Sequence, residues 1–189
     1  ASSGESTGSY EMPYGIQLAV HPPKIDWSPI IEPDRPWESD LNWHSTIFKD
    51  GDIFRLYYRI WDISGHSTGK DDLRLAYAES DDGKTWVKPN IGTYEFNGST
   101  NNNIINLGRP AGSPMVFKDP SANPDELYKL VFRGEMNGVR EIWGATSPDG
   151  LRWNIINEPL LVNYHADTHN QFMYDESKGK YIGYWRGWE

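Results

Sequence analysis

Apolar and polar positions alternate over short runs broken by Gly, Pro, Asn and Asp, the pattern of half-buried β-strands joined by turns. No stretch longer than about two turns shows the i, i+3, i+4, i+7 apolar spacing of an amphipathic helix. The runs fall into repeated sets. Thr46–Asp50, Met115–Asp119 and Phe172–Asp175 each lead into a turn, and each turn into a strand closing on arginine: Phe54–Arg59, Tyr128–Arg133 and Tyr181–Arg186. In the first two copies a third strand follows, Leu73–Ala78 or Arg140–Ala145. It runs into Ser80-Asp81-Asp82-Gly83-Lys84-Thr85-Trp86 or Ser147-Pro148-Asp149-Gly150-Leu151-Arg152-Trp153. Asp-Gly between strands signals a hairpin, because Gly accepts positive φ and Asp bonds its own backbone. A fourth strand carrying Trp86 or Trp153 is expected after that turn.

The unit so defined is a four-stranded antiparallel sheet repeated along the chain, the blade of a β-propeller, in an all-β protein. The copies span about residues 41–87, 113–161 and 167–189, the last with two strands only. Residues 1–20, rich in Ser and Gly, read as a flexible or capping segment, and 21–189 as a partial propeller. Lys88 to Gly112, rich in Asn and Gly, reads as an ordered surface loop. Trp86 and Trp153 are expected to pack between neighbouring blades.

Composition supports the strand reading. Nine Trp, eleven Tyr and six Phe accompany 18 Gly and 13 Pro. The net charge of −9 argues against nucleic acid or anionic membrane as a partner. No apolar run reaches the ~18 residues of a membrane span. Without cysteine there is neither a disulfide framework nor a thiolate metal site.

The motif order resembles that of the five-bladed β-propeller glycoside hydrolases, and more closely the bacterial proteins similar to the N-terminal propeller of glycosyl hydrolase family 32 (a family 43/32-like pattern). The resemblance is carried by Ala76–Trp86, by Lys88-Pro89-Asn90-Ile91-Gly92, by Tyr94–Ile105, by Trp143-Gly144 leading into Ser147–Gly150, and by Asp167-Thr168-His169-Asn170. It implies a glycoside hydrolase acting on an oligo- or polysaccharide outside the cytoplasm, secreted or periplasmic. The invertase-type Trp-Met-Asn-Asp-Pro-Asn-Gly, Arg-Asp-Pro and Glu-Cys motifs are missing, so that family's catalytic triad does not transfer. Five blades at this repeat length need about 250–350 residues. The chain is therefore expected to associate with the remainder of its own propeller or with a second chain.

Inner strands of a propeller converge on its axis, so their starts are where chemistry is expected. Counting back from Asp50, Asp119 and Asp175 puts His44, Ser113 and His169 at equivalent positions. Asp40, Glu135 and Asp167, one from each copy, are the candidate catalytic carboxylates, because glycoside hydrolysis needs two carboxyl groups flanking the bond. Trp43, His44, Arg59, Arg133, His169, Asn170 and Arg186 are the candidate substrate-binding residues: hydrogen-bond donors, an aromatic platform, and guanidinium groups suited to an anion. No cofactor is expected, although two imidazoles with Asp40 or Asp167 would also suit zinc or iron. Two other readings stay open: a non-catalytic carbohydrate-binding propeller, and a phosphorylase similar to the mannoside phosphorylases.

Overall fold

A computed structural model describes residues 21–38, 41–61, 73–136, 138–162, 166–167 and 170–186. The first sheet is β1 (Leu41–Asp50), β2 (Ile53–Trp61), β3 (Leu73–Ser80) and β4 (Ile104–Ile105), hydrogen-bonded in that order. The second repeats it with β5 (Gly112–Lys118), β6 (Tyr128–Met136), β7 (Val139–Ser147) and β8 (Asn154–Ile155). β9 (Gln171–Asp175) and β10 (Lys180–Tyr184) pair as a hairpin. All pairings are antiparallel, and one 3-10 turn at Pro124–Glu126 is the sole helical element among the described residues. These are two blades and the first two strands of a third, a partial β-propeller.

Three features differ from the sequence reading: β2 and β6 run past Arg59 and Arg133 to Trp61 and Met136 while β10 stops at Tyr184, Trp153 just precedes β8 and is not on it, and the fourth strand of the first blade lies elsewhere. Trp86–Lys88 does not form the fourth strand of the first blade. Val87 makes a single bridge to Glu79, and Ile104–Ile105 completes the sheet against Ala76 and Leu75. Pro89 and Gly92 interrupt the chain after Trp86, whereas Ile104 and Ile105 are β-branched and fully buried. The segment read as a surface loop thus supplies core. Its asparagines satisfy buried backbone: Asn102 Nδ2 donates to the Tyr94 carbonyl, its Oδ1 accepts from the Ile104 amide, and Asn103 Nδ2 donates to the Tyr77 carbonyl and the Tyr58 hydroxyl.

The Asp-Gly turns form as the sequence requires. Ser80 and Ser147 hydroxyls accept from the Gly83 and Gly150 amides, and Asp82 and Asp149 carboxylates accept from the two amides that follow glycine. Gly150 has φ +78°, and a Cβ there would also collide with the Tyr57 hydroxyl of the preceding blade.

Strand alternation assigns each face. Tyr57, Leu75 and Tyr77 of the first blade meet Val116, Leu130, Phe132 and Trp143 of the second in the main core, with Trp153 packed against it. The other face of the first blade, Leu56, Tyr58 and Ile60, is covered by Phe96 and Ile104 and, partly buried, Ile31, Trp37 and Trp86. Glu38 closes that side as a polar plug: its carboxylate accepts from Tyr58 Oη and Lys88 Nζ at 2.6 Å each. The face of the second blade turned to the third is smaller, with Val131, Ile142 and Ala166 buried and Phe172 partly so.

Candidate active site at the strand-start end of the sheets

The inner strands begin at one end of the sheets, and both complete ones are irregular there. In β1 the register passes from Asn42–Arg59 directly to Ser45–Tyr58, leaving Trp43 and His44 as two extra residues. In β5 it passes from Gly112–Arg133 to Met115–Val131, with one extra residue, and Ser113 sits at φ +49°. Bulges re-aim side chains and recur beside active sites. They also qualify the alignment of His44 with Ser113, because the first blade has one residue more at that point.

Arg133 lies three residues before the end of β6, on the face turned to the third blade. Its guanidinium passes over Gly112, where a Cβ would lie 2.8 Å from Arg133 Nε. Beyond it stands Asp167, 4.0 Å from Arg133 and in direct ion-pair contact with Arg186. The Asp167 amide donates to the Arg186 carbonyl at 2.9 Å, so the backbone holds the same pair together. The Asp167 side chain is 15% exposed and that of Arg133 20%, so this carboxylate is shared by one largely desolvated guanidinium and the exposed one of Arg186. Burial pushes the Arg133 pKa below its ordinary value, and the charge of Arg140 adds to the effect, while Glu135 opposes both.

Three of the sequence candidates, Arg133, Asp167 and Arg186, thus meet across one seam. Glu135 lies close enough to act electrostatically on Arg133; it is exposed, and its carbonyl accepts from Arg109. Asn170 is buried, and its Oδ1 has no hydrogen bond among the described residues. Arg59 is buried where β2 faces the bulge, on the strand face that carries Tyr57, and half-buried His44 is part of that bulge. Asp40 and His169 lie outside the described residues, as does the side chain of Trp43. Among the described residues no three His, Asp or Glu side chains gather as a metal site.

The sequence reading missed Glu141. It stands on β7 opposite Gly134, 6% exposed, and its Oε2 has no hydrogen bond among the described residues. The available signal was alternation: Glu141 shares a face with buried Trp143, so a charged residue occupies an inward position. Arg109, whose guanidinium stacks 3.9 Å from the Trp143 ring, was also missed, because it precedes the strand it serves.

No protein-family model matches the chain, and no curated protein matches it in sequence. Solved structures do. A glycosyl hydrolase from Bacteroides ovatus superposes with a TM-score of 0.54 at 21% identity, over 79% of this chain and 44% of its own. A second structure comes from work on the GH130 family of mannoside phosphorylases, which contains glycoside hydrolases that target β-1,2 mannosidic linkages in Candida mannan. It gives 0.53 at 19% identity, over 79% of this chain and 44% of its own. The superposed part therefore covers less than half the length of either. The likeness is one of fold, and the fold is that of the propeller glycoside hydrolases.

Proposed function

We propose that the protein is a carbohydrate-active propeller, a glycoside hydrolase that cleaves an oligo- or polysaccharide at the strand-start end of its blades, outside the cytoplasm. The observation that carries this reading is the meeting of Arg133, Asp167 and Arg186 at the point where inner strands converge, on a fold shared with glycoside hydrolases. A carboxylate matched by two guanidinium groups suits the ionised partner of the pair, as base, nucleophile or orienting group. The proton donor then has to be a carboxyl in a different setting. Glu135 fills that place in our reading, with Asp40 as the third carboxylate and His44, Arg59, Asn170 and His169 as sugar-binding groups. The family 43/32-like assignment belongs to the same proposal.

The test is turnover of a panel of aryl glycosides and oligosaccharides, with and without inorganic phosphate. Loss of more than a hundredfold in kcat for Asp167→Asn and Glu135→Gln, with substrate binding kept, supports the hydrolase. Wild-type rates in both variants overturn it. Turnover only with phosphate moves the site to the phosphorylase reading, and binding with no turnover in the wild type moves it to a carbohydrate-binding one.

A further inference from the structure

We propose that the same end of the molecule carries an off-axis subsite for the anionic group of an acidic sugar, in the pocket between Arg74 and Arg109. The inference rests on the carbohydrate-active reading above and adds a substrate class to it. The pocket has a volume of about 450 Å³ and is lined by Arg74, Tyr94, Asn106, Leu107, Arg109 and Pro110. It lies where residues 106–111 cross from β4, the outermost strand of the first blade, to β5, the innermost of the second. The Ala111 amide donates to the Leu73 carbonyl, which fixes the crossing over the start of β3.

The charge arrangement is unusual for so acidic a chain. No carboxylate among the described residues lies within ion-pair distance of Arg109. Its polar contact is a long 3.4 Å bond to the Glu135 carbonyl, and its guanidinium carbon lies 3.9 Å from the centre of the Trp143 ring. A guanidinium held over an aromatic ring keeps N–H donors for an anion, and little rotamer freedom remains to be lost on binding. Burial lowers the Arg109 pKa, and no carboxylate offsets that cost. Arg74 faces the same space from β3; its Nε donates to Tyr94 Oη at 3.3 Å and its guanidinium lies 5.6 Å from the Tyr94 ring centre. Two oriented guanidinium groups, an aromatic ring and the Asn106 amide form a receptor for a carboxylate or sulfate on a sugar ring. Glu141, two residues from Trp143 on β7, is not among the lining residues.

Calorimetric titration of the full chain with three tetrasaccharides, one uronate, one sulfated and one neutral, tests this. The subsite predicts that an acidic tetrasaccharide binds at least tenfold tighter than the neutral one in low salt. It predicts that Arg109→Met removes the difference and that Arg109→Lys restores only part of it, with amide NMR spectra that keep the native dispersion. Preference for the uronate or for the sulfate ester identifies which anion the pocket takes. Inorganic sulfate binding as tightly as the sulfated sugar overturns the sugar assignment. Equal binding of neutral and acidic sugars, unchanged by Arg109→Met, overturns the subsite while leaving the carbohydrate-active reading intact. Failure of all three sugars to bind overturns both.

Discussion

The two seams of the molecule are built to one plan and filled to different degrees. At each, the aspartate that closes an inner strand accepts a hydrogen bond from the tyrosine that opens the second strand of the next blade. Asp50 takes Tyr128 Oη and Asp119 takes Tyr181 Oη, each at 2.5 Å. Around Asp50 the plan is complete: Arg55 Nε lies at 2.7 Å, Lys118 Nζ at 2.5 Å, and the carboxylate is 7% exposed. Around Asp119, itself buried, the further hydrogen-bond partners are the neutral Ser121 hydroxyl and amide, and Lys129 acts only through its charge. The apolar filling differs likewise. Phe132 and Leu130 are fully buried in the first seam, whereas Tyr181 in the second is 53% exposed and Phe172 only partly covered. The repeated hydrogen bond fixes how blades index against one another, and the apolar filling decides how strongly they hold. The site lies on the weaker seam, since Asp167 belongs to the third blade and Arg133 to the second.

The largest effect is expected from emptying the first seam. Phe132→Ala removes a fully buried ring and should cost about 3–5 kcal/mol, read by urea unfolding. Phe172→Ala should cost less, about 1–2 kcal/mol, because the ring is only partly buried. Equal costs would break the comparison.

Next comes the pair Asp50→Asn and Asp119→Asn. Loss of the Asp50 charge leaves Arg55 and Lys118 facing a neutral amide and should cost about 2–3 kcal/mol, against about 1 kcal/mol at Asp119. Acid titration sharpens this. Burial works to raise the Asp50 pKa, but hydrogen bonds from Lys118 and Tyr128 and the charge of Arg55 outweigh it, so the folded value lies below the ordinary one. A depressed carboxylate contributes stability that is full above its unfolded pKa and is lost as pH falls through the folded value. The wild type should therefore lose stability below about pH 4, and Asp50→Asn should flatten that slope more than Asp119→Asn.

The site supplies the third test. Gly112→Ala places a methyl group against the Arg133 guanidinium. The nearest obstacle is the mobile end of a side chain, with the Arg133 carbonyl at 3.1 Å having to give slightly, so stability should fall by about 1 kcal/mol, while kcat falls at least tenfold as Arg133 is displaced from Asp167. Unchanged turnover would show that Arg133 does not position that carboxylate.

The repeat made most of this legible from sequence. Asp-Gly turns, the arginine-bearing strands and the inner-strand aspartates have local signatures, and they align the three copies from sequence alone. Two things were not legible. The fourth strand of the first blade lies 18 residues beyond Trp86, at Ile104, because a two-residue strand has no periodicity to display. Buried Glu141 and Arg109 over the Trp143 ring answer to neighbours in other strands, so their surroundings depend on which face each strand buries. A bulge of two residues in one blade and one in the next is likewise invisible to counting, and it shifts His44 relative to Ser113.

The smallest effect isolates the shared hydrogen bond from everything around it. Tyr181→Phe deletes one hydroxyl and keeps the ring, which packs beside Phe117 and Tyr174 at centroid separations of 6.1 and 5.3 Å. Asp119 retains the Ser121 hydroxyl and amide, so its carboxylate is not left bare. The expected cost is about 0.5–1 kcal/mol, the net worth of one hydrogen bond whose donor ring is half exposed and whose buried acceptor keeps its other partners. Tyr128→Phe removes the same bond from the first seam, where the ring also lies 4.9 Å from the Arg55 guanidinium and 5.5 Å from Lys118 Nζ. There the charged neighbours remain to hold Asp50, so the loss should again be near 1 kcal/mol despite the deeper burial. Matching costs in the two variants would establish that the hydrogen bond is the common element and the filling the variable one. A Tyr128→Phe cost several times larger would mean that the hydroxyl is inseparable from the ion cluster, and the two seams would no longer share a plan.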